Sequence, residues 1–180
     1  MDRAVGLNVF QRVARHIIEV AFDFSVATIA FFNDMDRYDR QVDALRRCPP
    51  GSLGREIADR LDCGGLTLVP GYESHDLKHA LLGFAMTAED EVRMQAFMIA
   101  NGNHSAPSFA IFSFGVILLP ELWPTFLADF RSGRDTRPIS SWTIERYADR
   151  NLMELRAGLR AFDRAAEGHG AYCADALRPH

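Results

Sequence analysis

The chain reads as all-α, a single irregular bundle of about seven helices, on three observations. Apolar residues recur at helical spacing along almost the whole sequence. Capping and stopping residues fall at the ends of those periodic stretches. Leu66–Pro70 is a brief apolar run that could be extended, and one such run does not make a sheet.

Taken in order, Val9 to Phe32 places apolar residues at Val13, Ile17, Val20, Phe24, Ala27 and Phe31, with charges at Arg12, Arg15, Glu19 and Asp23. That spacing predicts a long amphipathic helix whose phenylalanine-rich face sits deep against the core. Asn33 and Asp34 end it. A second helix, Asp36 to Arg47, is stopped by Pro49-Pro50-Gly51. Ser52 then caps a short helix through Leu61, broken by Cys63-Gly64-Gly65. A helix follows from about Glu73 to Gly83. Thr87-Ala88-Glu89-Asp90 resembles a capping box and opens a helix to about Ala100, where Asn101-Gly102-Asn103 stops it. Ser108 to Leu127 is apolar and helical, interrupted by Pro120 and Pro124. Arg131 to Ser140 is a loop by composition. Ser140 or Ser141 caps a last long helix reaching about Ala166. Residues 1–166 form one domain, and 167–180 are a polar, loose tail.

The 180 residues suit one domain with a real core. Apolar residues make up 48% and charged residues 24%, with a net charge of −4. That balance gives no pull toward nucleic acid, which is set aside as a partner. Cys48, Cys63 and Cys173 are scattered and read as reduced thiols in a cytoplasmic protein. The N-terminus carries no signal-peptide core, and no apolar run reaches the roughly 18 residues of a membrane span. The uncharged stretch Gly102–Pro120 leaves peripheral contact with a membrane open.

The chemistry concentrates in SHDLKHALLGFAMTAEDE, Ser74 to Glu91. His75 and His79 lie one helical turn apart on one face, the usual way for a helix to offer two nitrogens to a divalent metal. Asp76 flanks that face, rotated about 100° from His75. If the helix stops at Gly83 and the next starts at Thr87, a tight antiparallel hairpin brings Glu91 opposite His79. If it runs on to Met86, Glu91 moves about a turn away. With six histidines in the chain, H-D-x-x-H by chance is roughly a one-in-a-hundred event. The competing account is a hydrogen-bonded histidine pair inside the bundle, beside a solvated acidic turn of Asp76, Glu89, Asp90 and Glu91. Glu89 and Asp90 suit a helix's first turn in either case.

The pattern His75-Asp76-x-x-His79, then eleven residues, then Glu91 resembles the signature of the Coq-four family of ubiquinone (coenzyme Q) biosynthesis. PPGSLGRE (Pro49–Glu56), HALLG (His79–Gly83) and IERYADRNLMELRAGLR (Ile144–Arg160) resemble family segments too, so the likeness spans roughly Asp34 to Arg160. Lys78 stands where an apolar or aromatic residue is expected, and Asn151 near an expected tryptophan. The resemblance implies an all-helical protein that works with membranes and other quinone-biosynthesis proteins. It implies a prenylated aromatic or quinone small molecule as substrate, and oxidative decarboxylation at ring carbon 1: a carboxylate lost and a hydroxyl gained. Carried over, His75, Asp76, His79 and Glu91 become catalytic metal ligands.

Such a set suits one divalent metal, zinc before iron or magnesium. Asp76 is a direct ligand or the partner that orients a histidine. Arg55, in a family-like segment, is the favoured anion partner of the substrate, with Arg134 and Arg137 behind it. Phe112, within the apolar stretch Phe109–Leu119, is a wall for a prenyl tail, and Gly115 lets a neighbour approach. Tyr147 and Glu145 reach the site from the last helix. The protein is expected to be cytoplasmic or peripheral at the inner membrane, alone or as a homo-oligomer. Three other readings stand beside this one. The chain is a scaffold that holds quinone intermediates without chemistry, or the fold serves another aromatic natural product. The third is a metal phosphohydrolase using the His75-Asp76 dipeptide, with His16 as its upstream ligand.

Overall fold

The computed structural model describes residues 9–18, 20 and 36–159. Among them the chain is an all-α bundle without named strands. Residues 9–18 are helical (α1). They are followed by α2 (Asp36–Arg46), α3 (Leu53–Gly64), α4 (Glu73–Leu82), α5 (Ala88–Ala100) and α6 (Ala106–Leu118). A 3₁₀ turn (Pro120–Leu122), α7 (Trp123–Asp135), α8 (Ile144–Tyr147) and α9 (Leu152–Ala157) complete the order. The seven longer helices, α1–α7, match the expected number. The rest of the expected first helix, its Asn33-Asp34 stop, the end of the expected last helix (160–166) and the tail 167–180 lie outside the described residues.

Local signals act where the sequence puts them. Ser52 accepts a hydrogen bond from the Arg55 backbone N–H and Thr87 accepts one from that of Asp90, so each fills an orphan donor at a helix start. Two apolar clusters form the core. Leu53, Ile57 and Leu61 of α3 meet Leu77 and Leu81 of α4, Met94 and Met98 of α5, and Trp142. Ala14 and Ile18 of α1 meet Ala88, Val92 and Ala96 of α5 with Leu119 and Phe126. Helix α5 thus feeds both clusters and is buried on nearly every side. Each large aliphatic side chain sealed this way contributes roughly 1.5–3 kcal/mol.

Several expectations are corrected. Helix α7 runs through Arg131–Asp135, where composition suggests a loop. It does so because Gly133 lets α7 touch α5: a Cβ there would collide with the Phe97 carbonyl oxygen. Pro124 opens α7 instead of interrupting a helix, since the first turn needs no N–H. The last long helix is two short ones. Between them the Ala148 and Arg150 carbonyls accept from the Gly54 and Leu53 N–H groups, and Leu152 N–H donates to Gly51, so this segment caps α3. Helix α1 buries Ala14 and Ile18 and leaves Val13, Ile17 and Val20 exposed. Arg15 sets that rotation by pairing with Glu89 and Glu121. Cys48 is a free thiol, but Cys63 is disulfide-bonded. Spacing along a chain does not report proximity in space.

Candidate metal centre

Helix α4 stops where the site requires. Gly83 takes a left-handed conformation, φ 79°, and its N–H closes on the His79 carbonyl at 2.9 Å. Arg156 of α9 reaches across and donates to the carbonyls of Ala80 (2.9 Å) and Leu81 (3.1 Å). Those are last-turn carbonyls with no partner inside the helix. The turn to α5 is fixed by Asp90, whose carboxylate accepts from the Ala85 N–H at 2.8 Å and from Arg93. Glu89 pairs with Arg15. The two acids therefore serve the turn and the packing of α1.

This stop places His75, His79 and Glu91 together. Glu91 Oε2 lies 3.0 Å from His79 Nε2 and 3.1 Å from His75 Nε2, and the two nitrogens are 3.1 Å apart. One donor atom from each of the three falls within 4.8 Å of the others. His79 is 1% exposed and Glu91 6%. The imidazole Nδ1–H of His79 donates to the Phe84 carbonyl at 3.2 Å. That bond turns Nε2 toward Glu91 and His75, the orientation that metal-binding histidines take. Gln95, one turn after Glu91, donates its amide to Glu91 Oε1 at 2.8 Å. The Tyr72 ring meets His75 edge-on, with centroids 6.3 Å apart.

Charges in this corner are finely opposed. Burial alone would raise the Glu91 carboxyl, but His75 and hydrogen bonds from both rings hold it far below the usual range. Asp76 goes the other way. Its carboxyl is buried and pushed up to about 7, with the neighbouring Glu91 and Glu73 charges adding to burial and His79 opposing it. Its Oδ2 has no hydrogen-bond partner. Asp76 stands outside the group of three donor atoms, and no hydrogen bond joins it to either histidine. Lys78, the one lysine, is buried on the same helix. Its only polar partner among the described residues is Ser74 Oγ at 3.4 Å, and burial lowers its pKa.

The donor set fits a divalent cation. Two imidazole nitrogens and an ionised carboxylate converge, a buried aspartate oxygen beside them lacks a partner, and the His79 ring is held from behind by the Phe84 carbonyl.

The other expected site residues lie elsewhere. Arg55 is exposed and paired with Asp59 at 2.8 Å. Arg134 pairs with Asp135 at 3.6 Å, and Arg137 lines a cavity of about 400 Å³ with Asp135, Thr136 and Gly158. Phe112 is half-buried against Phe126 in the second cluster. Tyr147 stacks on Trp142 at 4.0 Å, and Glu145 is exposed. No hydrogen bond or ring contact joins Arg55, Phe112 or Tyr147 to the three donors among the described residues. His16 is exposed on α1 and outside the group, so the phosphohydrolase arrangement is not assembled. Gln95, Arg156 and the Phe84 carbonyl are supports that sequence reasoning misses. Gln95 alone carries a signal, since it stands four residues after Glu91 on one helix face.

The chain matches no known family of sequences, and no curated protein matches it. Among solved structures it is similar to a provisionally named ubiquinone biosynthesis protein from Nostoc punctiforme PCC 73102. The TM-score is 0.53 at 18% identity, over 84% of this chain and 81% of that one. At that identity the likeness is one of fold, on which this chain sets donor atoms of His75, His79 and Glu91 within 4.8 Å of one another.

Proposed function

We propose that the protein is a metal-dependent enzyme of quinone biosynthesis that replaces the carboxylate of a prenylated phenolic or benzoquinoid ring with a hydroxyl. The carrying observation is the convergence of His75, His79 and Glu91 within 4.8 Å on buried helices. The fold shared with a protein named for ubiquinone biosynthesis supports the choice of pathway. His75, His79 and Glu91 hold the metal, zinc or iron by donor type, with Asp76 in the field of Glu91 and His79 steadying the set from outside it. The metal supplies a Lewis acid for the ring's oxygen substituents.

The chain's own groups do the rest. His79, held by Phe84, turns its Nε2 toward Glu91, which stays ionised beside it. His75 is the more open of the two, its side chain 26% exposed against 2% for that of His79, so the ring substrate approaches from its side. Lys78, buried without a carboxylate partner among the described residues, is available to the substrate's own carboxylate. The conversion releases carbon dioxide and is a two-electron oxidation that consumes an oxidant such as dioxygen.

Elemental analysis of the purified protein should find one zinc or iron per chain. His79→Ala should lower that content at least tenfold. Metal-loaded protein should release carbon dioxide from 3-geranyl-4-hydroxybenzoate, and the alanine variant should not. Metal uptake with the ring returned unchanged would overturn the catalytic reading in favour of a scaffold. A specific observation favours lipid contact in either reading: Phe109, Phe114 and Ile117 of α6 and Trp123 and Leu127 of α7 are exposed. Among the described residues no single helix is long and apolar enough to cross a membrane. The bent pair Ala106–Leu118 and Pro120–Asp135, at 103°, passes that test only together.

A further inference from the structure

We infer that Gln95 is a positioning residue that restricts Glu91 to one-oxygen ligation and thereby selects the metal. This rests on the metal centre proposed above. The two oxygens of Glu91 have different partners: Oε2 faces both imidazole nitrogens at 3.0 and 3.1 Å, while Oε1 accepts from Gln95 Nε2 at 2.8 Å. Both side chains belong to α5, one turn apart, at 3% and 6% exposure. The amide orientation follows from chemistry, because a carboxylate oxygen accepts and only the NH₂ end of Gln95 donates.

A carboxylate that grips an ion with both oxygens must turn both toward it. For Glu91 that turn would strip the Gln95 amide of its acceptor in a place water barely reaches. A buried donor left unpaired carries the full cost of its lost hydration. Glu91 therefore contributes one oxygen, and the protein offers two nitrogens and one oxygen. That small, nitrogen-rich set suits zinc, cobalt or iron and serves calcium poorly, which takes six to eight oxygens. It also leaves positions open for substrate. Only a neutral donor can hold Glu91 this way without disturbing the ion, since lysine would compete with the metal for the carboxylate and glutamate would repel it.

The test uses the full-length protein and its Gln95→Met variant, which fills similar volume without a donor. Each is loaded with Co²⁺ as a visible probe and then challenged with Zn²⁺ and Ca²⁺. Cobalt absorption bands weaken as coordination number rises. In a folded Gln95→Met protein they should weaken several-fold, and the preference for Zn²⁺ over Ca²⁺ should fall about tenfold or more. X-ray absorption on zinc-loaded wild type needs no variant and should show one carboxylate oxygen beside two imidazoles. Unchanged bands and preference in the variant, or a two-oxygen carboxylate in wild type, overturn the role of Gln95 and leave the metal centre standing. Failure of wild type to take up any of the three ions overturns the centre and this inference with it.

Discussion

Asp76 and Glu91 share one buried corner and are driven in opposite directions, and the pH dependence of the metal-free protein follows. The Asp76 carboxyl rises to about 7 through burial. Between the ordinary aspartate value near 4 and about 7, the folded chain therefore holds a proton that the unfolded chain has lost. Stability falls as pH climbs through that window. Glu91, lowered by His75 and His79, contributes stability that is complete above the ordinary glutamate value near 4 and is lost as acid protonates the folded carboxyl. Asp76→Asn removes the first slope alone. The metal-free variant should match wild type near pH 4 and exceed it by a few kcal/mol at pH 7, read by urea unfolding. Saturating zinc should shrink the gap, because a cation favours the ionised aspartate. A wild-type curve that runs parallel to the variant from pH 4 to 7 would show that Asp76 is not penalised by burial.

At the scale of elements, the turn between α4 and α5 decides whether a site exists. Gly83 sits at φ 79°, which side chains with a Cβ adopt at a cost. Gly83→Ala should lower stability by about 1 kcal/mol or more. It should also weaken zinc binding, because the Phe84 carbonyl that holds the His79 ring lies in the next residue. A thermal melt and a zinc titration read the two effects separately, and loss of stability with zinc affinity intact would detach the turn from the site. This turn was legible in the sequence because its signals are local: a glycine stop, a threonine cap, and a ligand spacing that works only if the helix ends early. The C-terminal helices were not legible for the opposite reason. Their break at 148–151 is made by hydrogen bonds to Leu53 and Gly54, about a hundred residues away, and no neighbouring residue encodes it. Arg156 is of the same kind. It reads as one more arginine on a helix until α9 is laid against the end of α4. The extension of α7 past Arg131 depends on what Gly133 touches, where composition sees only turn-formers.

Over the whole molecule, the polar work and the apolar surface are set apart. Among the described residues, six of the ten buried polar residues lie on α4, α5 and α9, whereas most of the large exposed apolar side chains lie on α1, α6 and α7. Helix α6 contains no charged residue between Ala106 and Leu118, and it turns Phe114 and Ile117 outward, the latter 72% exposed. The core explains only part of that pattern: Ser108 and Gly115 are buried, and Ile111, Phe112, Val116 and Leu118 are half-buried against the second cluster, while Phe114 and Ile117 face away from it. A face of this composition is suited to the interfacial layer of a bilayer, where each large side chain withdrawn from water gains roughly 1.5–3 kcal/mol at most. It would also bring the protein to a substrate whose tail lives in lipid. The attraction is apolar in origin, so binding to neutral phosphatidylcholine vesicles should persist at high salt, where contact made by charge would fade. Phe114→Glu with Ile117→Glu should reduce the co-sedimenting fraction at least tenfold. Metal content and the thermal melt should hold at wild-type values, because both side chains are exposed. Undiminished sedimentation of the double variant would remove α6 as the contact. Binding abolished by salt in wild type would move the contact from this apolar face to the arginines.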